Sequence, residues 1–124
     1  MADPAVRVRR NSDFKQTNDD FPTPPWATRV LFEYVAPALI VNASKTTVLE
    51  PACGRGHMVQ VLHELKFRVR GSDNVDYGTG FPVADYVTAP KFAPYDWLVT
   101  NPPYKHANAF AQRGLREARC GVAL

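Results

Sequence analysis

Two short stretches of this 124-residue chain place chemically useful side chains directly after apolar, β-type runs. The first is Glu50-Pro-Ala-Cys-Gly-Arg-Gly56. Its glycines, Gly54 and Gly56, allow a tight turn and a close approach of backbone to ligand, as a nucleotide-type ligand requires at the carboxyl end of a parallel strand. The stretch lacks the full GxGxxG spacing and a Walker lysine, so a phosphate cradle is disfavoured. An acid at the strand end, Glu50, instead suits a cationic ligand.

The second stretch, Asp96-Trp-Leu-Val-Thr-Asn-Pro-Pro-Tyr104, offers two hydrogen-bond acceptors and an aromatic ring. An exocyclic amine on a purine is a poor nucleophile because its lone pair is delocalised into the ring. The side-chain carbonyl of Asn101 and the backbone carbonyl of Pro102 could hold both N–H groups and aim the lone pair at a methyl donor. The fixed φ of Pro102 and Pro103 sets the direction of that carbonyl, and Tyr104 offers a face for stacking. Asn-Pro alone is an ordinary turn signal.

Two further acids are candidate ligand contacts. Asp73 ends the strand after the glycine turn, where an acid can accept hydrogen bonds from ribose hydroxyls. Alternatively, Asp73 is a solvent-exposed aspartate that only forms a turn. Asp85 could accept a hydrogen bond from an adenine amino group, but turn formation explains it equally well.

The elements that must position these residues follow from hydrophobic periodicity. A helix is predicted over Trp26–Leu39, with Thr23 as its N-cap and a bend or end at Pro37. Thr46–Glu50, a glycine turn, a helix over His57–Leu65 and a strand over Arg68–Ser72 form a parallel βαβ unit. The remaining predicted elements are a third strand at Val83–Val87, a fourth at Trp97–Thr100, a helix at Asn108–Arg119 and the start of a fifth strand at Gly121–Leu124. The fold class is therefore α/β, with a Rossmann-like parallel sheet of about four to five strands.

Composition narrows the class of protein. The net charge of +3 and the pI near 9.0 are compatible with a nucleic-acid partner without requiring one. No apolar run is long enough for a membrane span or a signal peptide, so a cytoplasmic protein is expected. The two cysteines, Cys53 and Cys120, are expected to be free thiols. Residues 1–20 carry too few apolar side chains to form a core, and a flexible arm is predicted there.

The sequence resembles the amino-group class of S-adenosylmethionine-dependent DNA methyltransferases, and most closely those of phage or prophage type. Three of that family's motifs occur in its order: Phe21-Pro-Thr-Pro-Pro-Trp26, Glu50 to Gly56, and Asn101 to Tyr104. The resemblance covers residues 21–124 and implies the class I methyltransferase fold. It implies methyl transfer from S-adenosylmethionine to the N6 amine of adenine in DNA.

The resemblance also implies roles for individual residues, with no metal. The segment Thr23, Pro24, Pro25 and Trp26 would line the methionine end of the cofactor. The loop Glu50, Pro51, Ala52, Cys53, Gly54 and Gly56 would approach its methionine and ribose portions. Asp73 would bind the ribose, and Asp85 and Tyr86 would flank the adenine. Asn101, Pro102, Pro103 and Tyr104 would hold a target base extruded from the duplex. Cys53 is expected to be a small buried residue rather than a nucleophile.

The family's sheet has seven strands, whereas this chain reaches only the start of a fifth. A truncated domain with an exposed apolar strand edge is therefore expected, at Trp97–Thr100 or at Gly121–Leu124. Three alternatives stay open: methylation of a protein glutamine, methylation of an RNA base, and a noncatalytic remnant that binds S-adenosylmethionine. A generic nucleotide-binding α/β domain is disfavoured by the joint order of the three motifs. The residues indicate neither the recognition sequence nor the oligomeric state.

Overall fold

A four-stranded sheet with every strand parallel lies at the centre of residues 21–124, the part of the chain that the computed structural model describes. Its strands are β1 (Thr47–Glu50), β2 (Arg68–Gly71), β3 (Trp97–Val99) and β4 (Gly121–Ala123). They lie in the order β2-β1-β3-β4. The predicted α/β class with a parallel sheet is confirmed, and the arrangement is compatible with a Rossmann-like fold. The predicted arm at residues 1–20 lies outside the described residues.

Both faces of the sheet are covered. Successive residues of a strand point to opposite faces, and accordingly Val48 and Leu49 of β1 lie in different apolar clusters. The Val48 face packs against the amino-terminal helices and the helix that follows β1, and the Leu49 face packs against the helix that follows β3 and the segment before β3. The helices are α1 (Pro25–Val30), a π-helical turn (Leu31–Val35), α2 (Pro37–Val41), a 3₁₀ turn (Ala43–Lys45), α3 (His57–Glu64), a 3₁₀ turn (Tyr104–His106) and α4 (Ala107–Glu117).

The amino-terminal helix is interrupted at Ala36, directly before Pro37. Ala36 leaves the helical region, with φ −131° and ψ 52°, and Pro37 begins α2, because the residue before a proline is pushed out of the α region. The bend predicted at Pro37 is therefore confirmed. The prediction of Thr23 as N-cap is wrong: Pro24 occupies that position and no side chain caps α1.

The prediction of a third strand at Val83–Val87 is wrong. Only an isolated parallel bridge joins Asp73 to Val83. Beyond it the Asp85 carboxylate accepts the N–H of Val87 at 2.9 Å, and the Asp85 carbonyl accepts that of Ala89 at 2.7 Å. This local hydrogen bonding turns the chain and competes with a strand ladder.

The register brings the chemically useful residues to one edge of the sheet. Glu50 at the end of β1 pairs with Gly71 at the end of β2, and Leu49 pairs with Leu98 of β3. Parallel strands end at the same edge, so Glu50, Asp73 and Asn101 emerge together there. Within residues 21–124, no helix is long and apolar enough to cross a membrane.

Candidate functional site

A cavity enclosing about 720 Å³, part of it open to solvent, lies at this carboxyl edge; we term it the main cavity. Segments after β1, β2 and β3 all contribute to its wall, as expected of a ligand site in a parallel α/β sheet. Eleven of the seventeen residues predicted to form the site line it: Thr23, Glu50, Pro51, Ala52, Cys53, Gly54, Asp73, Asp85, Tyr86, Asn101 and Pro103.

A second cavity of about 560 Å³, also open to solvent, lies beside the first; we term it the outer cavity. It is lined by Phe21, Asn101, Pro102 and Tyr104. Phe21 and Asn101 line both cavities, so the two spaces adjoin at these residues. The predicted site residues are therefore distributed over two cavities, and Asn101 borders both of them.

Four predicted site residues line neither cavity: Pro24, Pro25, Trp26 and Gly56. Pro25 and Trp26 begin α1, and the Trp26 ring is 67% exposed. Of the segment Thr23–Trp26, only Thr23 therefore reaches the predicted cofactor site.

Two buried carboxylates, Glu50 and Asp73, form the acidic part of the main cavity. Glu50 is 2% exposed, and its Oε1 accepts the N–H of Ala52 at 2.9 Å. Asp73 accepts the N–H of Gly54 at 2.8 Å through Oδ2 and that of Val75 at 3.0 Å through Oδ1. Asp73 thus holds the glycine turn against the end of β2, a structural role that leaves lone pairs for a ligand.

Burial, with a smaller contribution from the negative charge of Asp73, raises the pKa of Glu50 from 4.5 to about 8. A carboxyl group in this state is protonated at neutral pH and ionises when a positive charge is brought close to it. The acidic part of the cavity is therefore suited to a cationic ligand group.

The two glycines of the turn serve different purposes. Both have positive φ, +55° at Gly54 and +92° at Gly56. A Cβ at Gly54 would meet nothing within 4 Å, whereas a Cβ at Gly56 would lie 2.7 Å from the Phe81 ring. Gly56 thus lies in close contact with Phe81 and does not line the main cavity, and its predicted approach to a ligand stays a prediction. Gly54 is the glycine that leaves room in the main cavity.

Cys53 is buried and has no disulfide partner, as expected. Burial and the neighbouring carboxylates of Glu50 and Asp73 raise the pKa of its thiol to about 12. The thiol stays protonated at neutral pH and is a poor nucleophile.

Tyr86 belongs to a buried hydrogen-bond network more than to the cavity surface. It is 1% exposed, and its hydroxyl lies 2.7 Å from that of Tyr95, which donates to Glu117 at 2.9 Å. Glu117 pairs with Arg113 at 3.0 Å, and Arg113 donates to the carbonyls of Tyr86 and Ala89, both at 2.6 Å. This network fixes the irregular segment that carries Asp85 and Tyr86 onto α4.

Asn101 is tied to the amino-terminal segment. Its amide Nδ2 donates to Thr23 Oγ1 at 3.4 Å. This bond orients the side chain so that the carbonyl oxygen Oδ1 is available to accept hydrogen bonds from another group. Thr23, predicted as a cofactor contact, thereby also touches the predicted catalytic residue.

Several cavity residues escaped sequence reasoning. The sequence assigns no role to Phe21, which begins the motif Phe21–Trp26, or to Arg55, which lies over the Tyr77 ring at 4.8 Å beside the glycine turn. His57 and His106 also line the main cavity. Among residues 21–124, no group of three or more His, Cys, Asp or Glu side chains could hold a metal ion.

Neither the protein-family models nor the curated proteins compared with this sequence give a match, so no family is assigned to the chain on that basis.

Proposed function

We propose that this chain binds S-adenosylmethionine in the main cavity and transfers its methyl group to the N6 amine of adenine in DNA. One observation carries the proposal: Asn101 lines both cavities, so an acceptor amine held by this residue in the outer cavity would adjoin a donor in the main cavity. A methyl transfer requires its donor and acceptor to be held side by side, and two cavities with a common lining residue allow that arrangement.

The lining of the main cavity fits this cofactor chemically. The ligand carries a sulfonium and an ammonium group, and the cavity offers the Glu50 and Asp73 carboxylates. Gly54 leaves open space above its Cα. When bound, the cofactor would supply a methyl group to the amine nitrogen as the C–S bond breaks, with S-adenosylhomocysteine as the leaving group and one amine proton lost to solvent. The part of the protein is to position the acceptor and to accept hydrogen bonds from its amine. Asn101 Oδ1 and the carbonyl of Pro102 provide those acceptors.

Methyl transfer is measured with tritiated S-adenosylmethionine on unmethylated genomic DNA, with parallel arms of RNA and a glutamine-containing peptide. Labelling of adenine N6 in DNA above the background of an Asn101→Ala variant is the expected result. Labelling confined to RNA or peptide would reject the proposed substrate. Cofactor binding without labelling of any substrate would identify a noncatalytic binding protein.

The glycine turn provides a matched pair of variants. Gly54→Ala should weaken binding of S-adenosylhomocysteine at least about tenfold, because its methyl group would enter the cavity, with a stability cost of about 1–2 kcal/mol from positive φ. Gly56→Ala should lose more stability, because its methyl group collides with Phe81. Calorimetric titration measures the affinity of both variants for S-adenosylhomocysteine, and denaturant unfolding measures their stability. Equal affinity of wild type and Gly54→Ala would contradict the assignment of the cavity.

The bond between Thr23 and Asn101 predicts a rate effect separable from folding. Thr23→Val keeps the shape but removes the acceptor, so the Asn101 amide loses its fixed orientation and kcat should fall about tenfold or more. Thr23→Ser retains the hydroxyl and should restore most of the rate. Steady-state methyl-transfer kinetics compare the two; an equal kcat in both variants would show that the hydroxyl has no positioning role.

A further inference from the structure

Asp85 stands on an irregular segment in the wall of the main cavity, between the end of β2 and the beginning of β3. On its amino-terminal side the segment is attached to the end of β2, since the Ala84 N–H donates to the Asp73 carbonyl at 2.8 Å. On the other side the chain turns, and Asp85 accepts the N–H groups of Val87 and Ala89. These last bonds shape the turn without attaching it to the sheet, so this side of Asp85 needs an anchor from elsewhere.

Arg113 of α4 supplies that anchor with a single nitrogen. Its Nη1 donates to the carbonyls of Tyr86 and Ala89, both at 2.6 Å. A guanidinium nitrogen of this kind carries two N–H groups, so each carbonyl receives one of them. The two carbonyls belong to the beginning and the end of the turn after Asp85. Arg113 therefore attaches the whole turn to α4.

The Arg113 side chain is itself held in place. It is 8% exposed, and its Nε donates to Glu117 at 3.0 Å. Its Cζ lies 5.0 Å from the ring centroids of Tyr86 and Phe92. A buried charge is costly unless it is paired and hydrogen-bonded, and the planar guanidinium makes these bonds in fixed directions. The position of α4 is thereby passed on to the turn.

The Asp85 carboxylate keeps hydrogen-bonding capacity for a ligand. Its Oδ1 accepts the Val87 N–H at 2.9 Å, which leaves the lone pairs of Oδ2 for a donor in the cavity. In the cofactor of the proposed function such a donor is the adenine amino group. A hydrogen bond weakens steeply when its distance or angle departs from the optimum. Recognition of that amino group therefore depends on where the turn holds Asp85.

We propose that Arg113 is a positioning residue for cofactor recognition, which keeps Asp85 in place to accept the adenine amino group and so favours adenine over a base without that group. The inference rests on the proposed function and adds to it a residue that lines neither cavity. Glu50 and Asp73 stand at the ends of other strands and make no use of this anchor. Loss of Arg113 should therefore affect the choice of base more than the binding of the rest of the cofactor.

The experiment titrates the full chain calorimetrically with two ligands, S-adenosylhomocysteine and S-inosylhomocysteine, in which a carbonyl oxygen replaces the adenine amino group. The wild type should bind the adenine ligand about ten- to hundredfold more tightly, because the other ligand lacks a hydrogen bond to a charged acceptor. Asp85→Ala should make the two Kd values nearly equal. Arg113→Met removes both carbonyl contacts and should lower the ratio of the Kd values at least about fivefold although Asp85 is intact.

Two control variants separate positioning from general stability. Glu117→Gln removes the charge that pairs with Arg113 but leaves both carbonyl contacts, so it should keep the ratio of the wild type. Leu62→Ala removes a buried side chain from the other apolar cluster, one that lines neither cavity, and should lose stability without a change in the ratio. Arg113→Lys keeps a positive charge beside Glu117 but lacks the planar fork. It serves as a second variant if circular dichroism shows Arg113→Met to be unfolded, and it should also lower the ratio.

A ratio equal to that of the wild type in a folded Arg113 variant would overturn the inference. An equal fall of the ratio in Leu62→Ala would do the same, because it would attribute the effect to lost stability. A wild type that binds both ligands with equal affinity would also overturn it, since Asp85 would then not contact the amino group. Failure of the wild type to bind S-adenosylhomocysteine at all would instead reject the proposed function, so the two failures are distinguishable.

Discussion

Asn101→Ala is expected to lower kcat for methyl transfer at least about a hundredfold while the affinity for S-adenosylhomocysteine changes little. The side-chain carbonyl of Asn101 would hold the acceptor amine, and this hydrogen bond strengthens as positive charge develops on the nitrogen. Removing one such preorganised group typically costs two to three orders of magnitude in rate. The acidic groups of the main cavity, Glu50 and Asp73, are untouched by the substitution.

Single-turnover kinetics with saturating cofactor, together with calorimetric titration, separate the two quantities. Asn101→Asp is an informative companion, because it keeps an acceptor oxygen but replaces the Nδ2 group that donates to Thr23. A parallel loss of rate and cofactor affinity in Asn101→Ala would indicate a structural role for Asn101 instead of a catalytic one.

Glu50→Gln is expected to stabilise the ligand-free protein above pH 6 and to weaken its binding of S-adenosylmethionine. The folded-state pKa of Glu50, about 8, lies above its ordinary value of 4.5. Between these values the unfolded chain ionises while the folded chain stays protonated, so the free energy of unfolding falls as pH rises. At about 1.4 kcal/mol per pH unit, the free energy of unfolding falls by roughly 3–5 kcal/mol between the two pKa values. Glutamine does not ionise and keeps an acceptor for the Ala52 N–H.

Urea unfolding at pH 5 and pH 8 measures the first effect: the wild type should lose stability between them and Glu50→Gln should lose much less. Calorimetric titration in buffers of different ionisation enthalpy measures the affinity for S-adenosylmethionine and the number of protons released on binding. Binding to the wild type at pH 7 should release a proton, because the cation favours ionised Glu50, and binding to the variant should not. Identical pH dependence of unfolding in both proteins would show that Glu50 is not the linked group.

Local sequence patterns were sufficient to predict the elements whose structure depends on residues close together in the chain. The run Thr47–Glu50, its glycine turn and α3 follow one another within the span over which periodicity and turn chemistry act. The same reasoning failed at Val83–Val87, where two valines and a tyrosine indicate a strand. There the Asp85 side chain satisfies the nearby backbone and the chain turns.

The candidate site was predictable to the extent that its residues follow strand ends. Glu50, Asp73 and Asn101 were identifiable because parallel strands end at one edge. The contact between Gly56 and Phe81 could not be predicted, because Phe81 belongs to another loop. No local pattern indicated that Thr23 contacts Asn101, because that contact depends on how the amino-terminal segment packs against the end of β3.

The Arg113 network has a consequence for the order in which the chain acquires its structure. Arg113 holds the carbonyls of Tyr86 and Ala89, residues made well before it during synthesis. We therefore expect these two carbonyls to lack their side-chain partner until α4 has formed and docked on the sheet. That helix follows directly on the segment carrying Asn101. We therefore expect the wall bearing Asp85 to reach its final order only after the acceptor residues, which precede α4, have been synthesised.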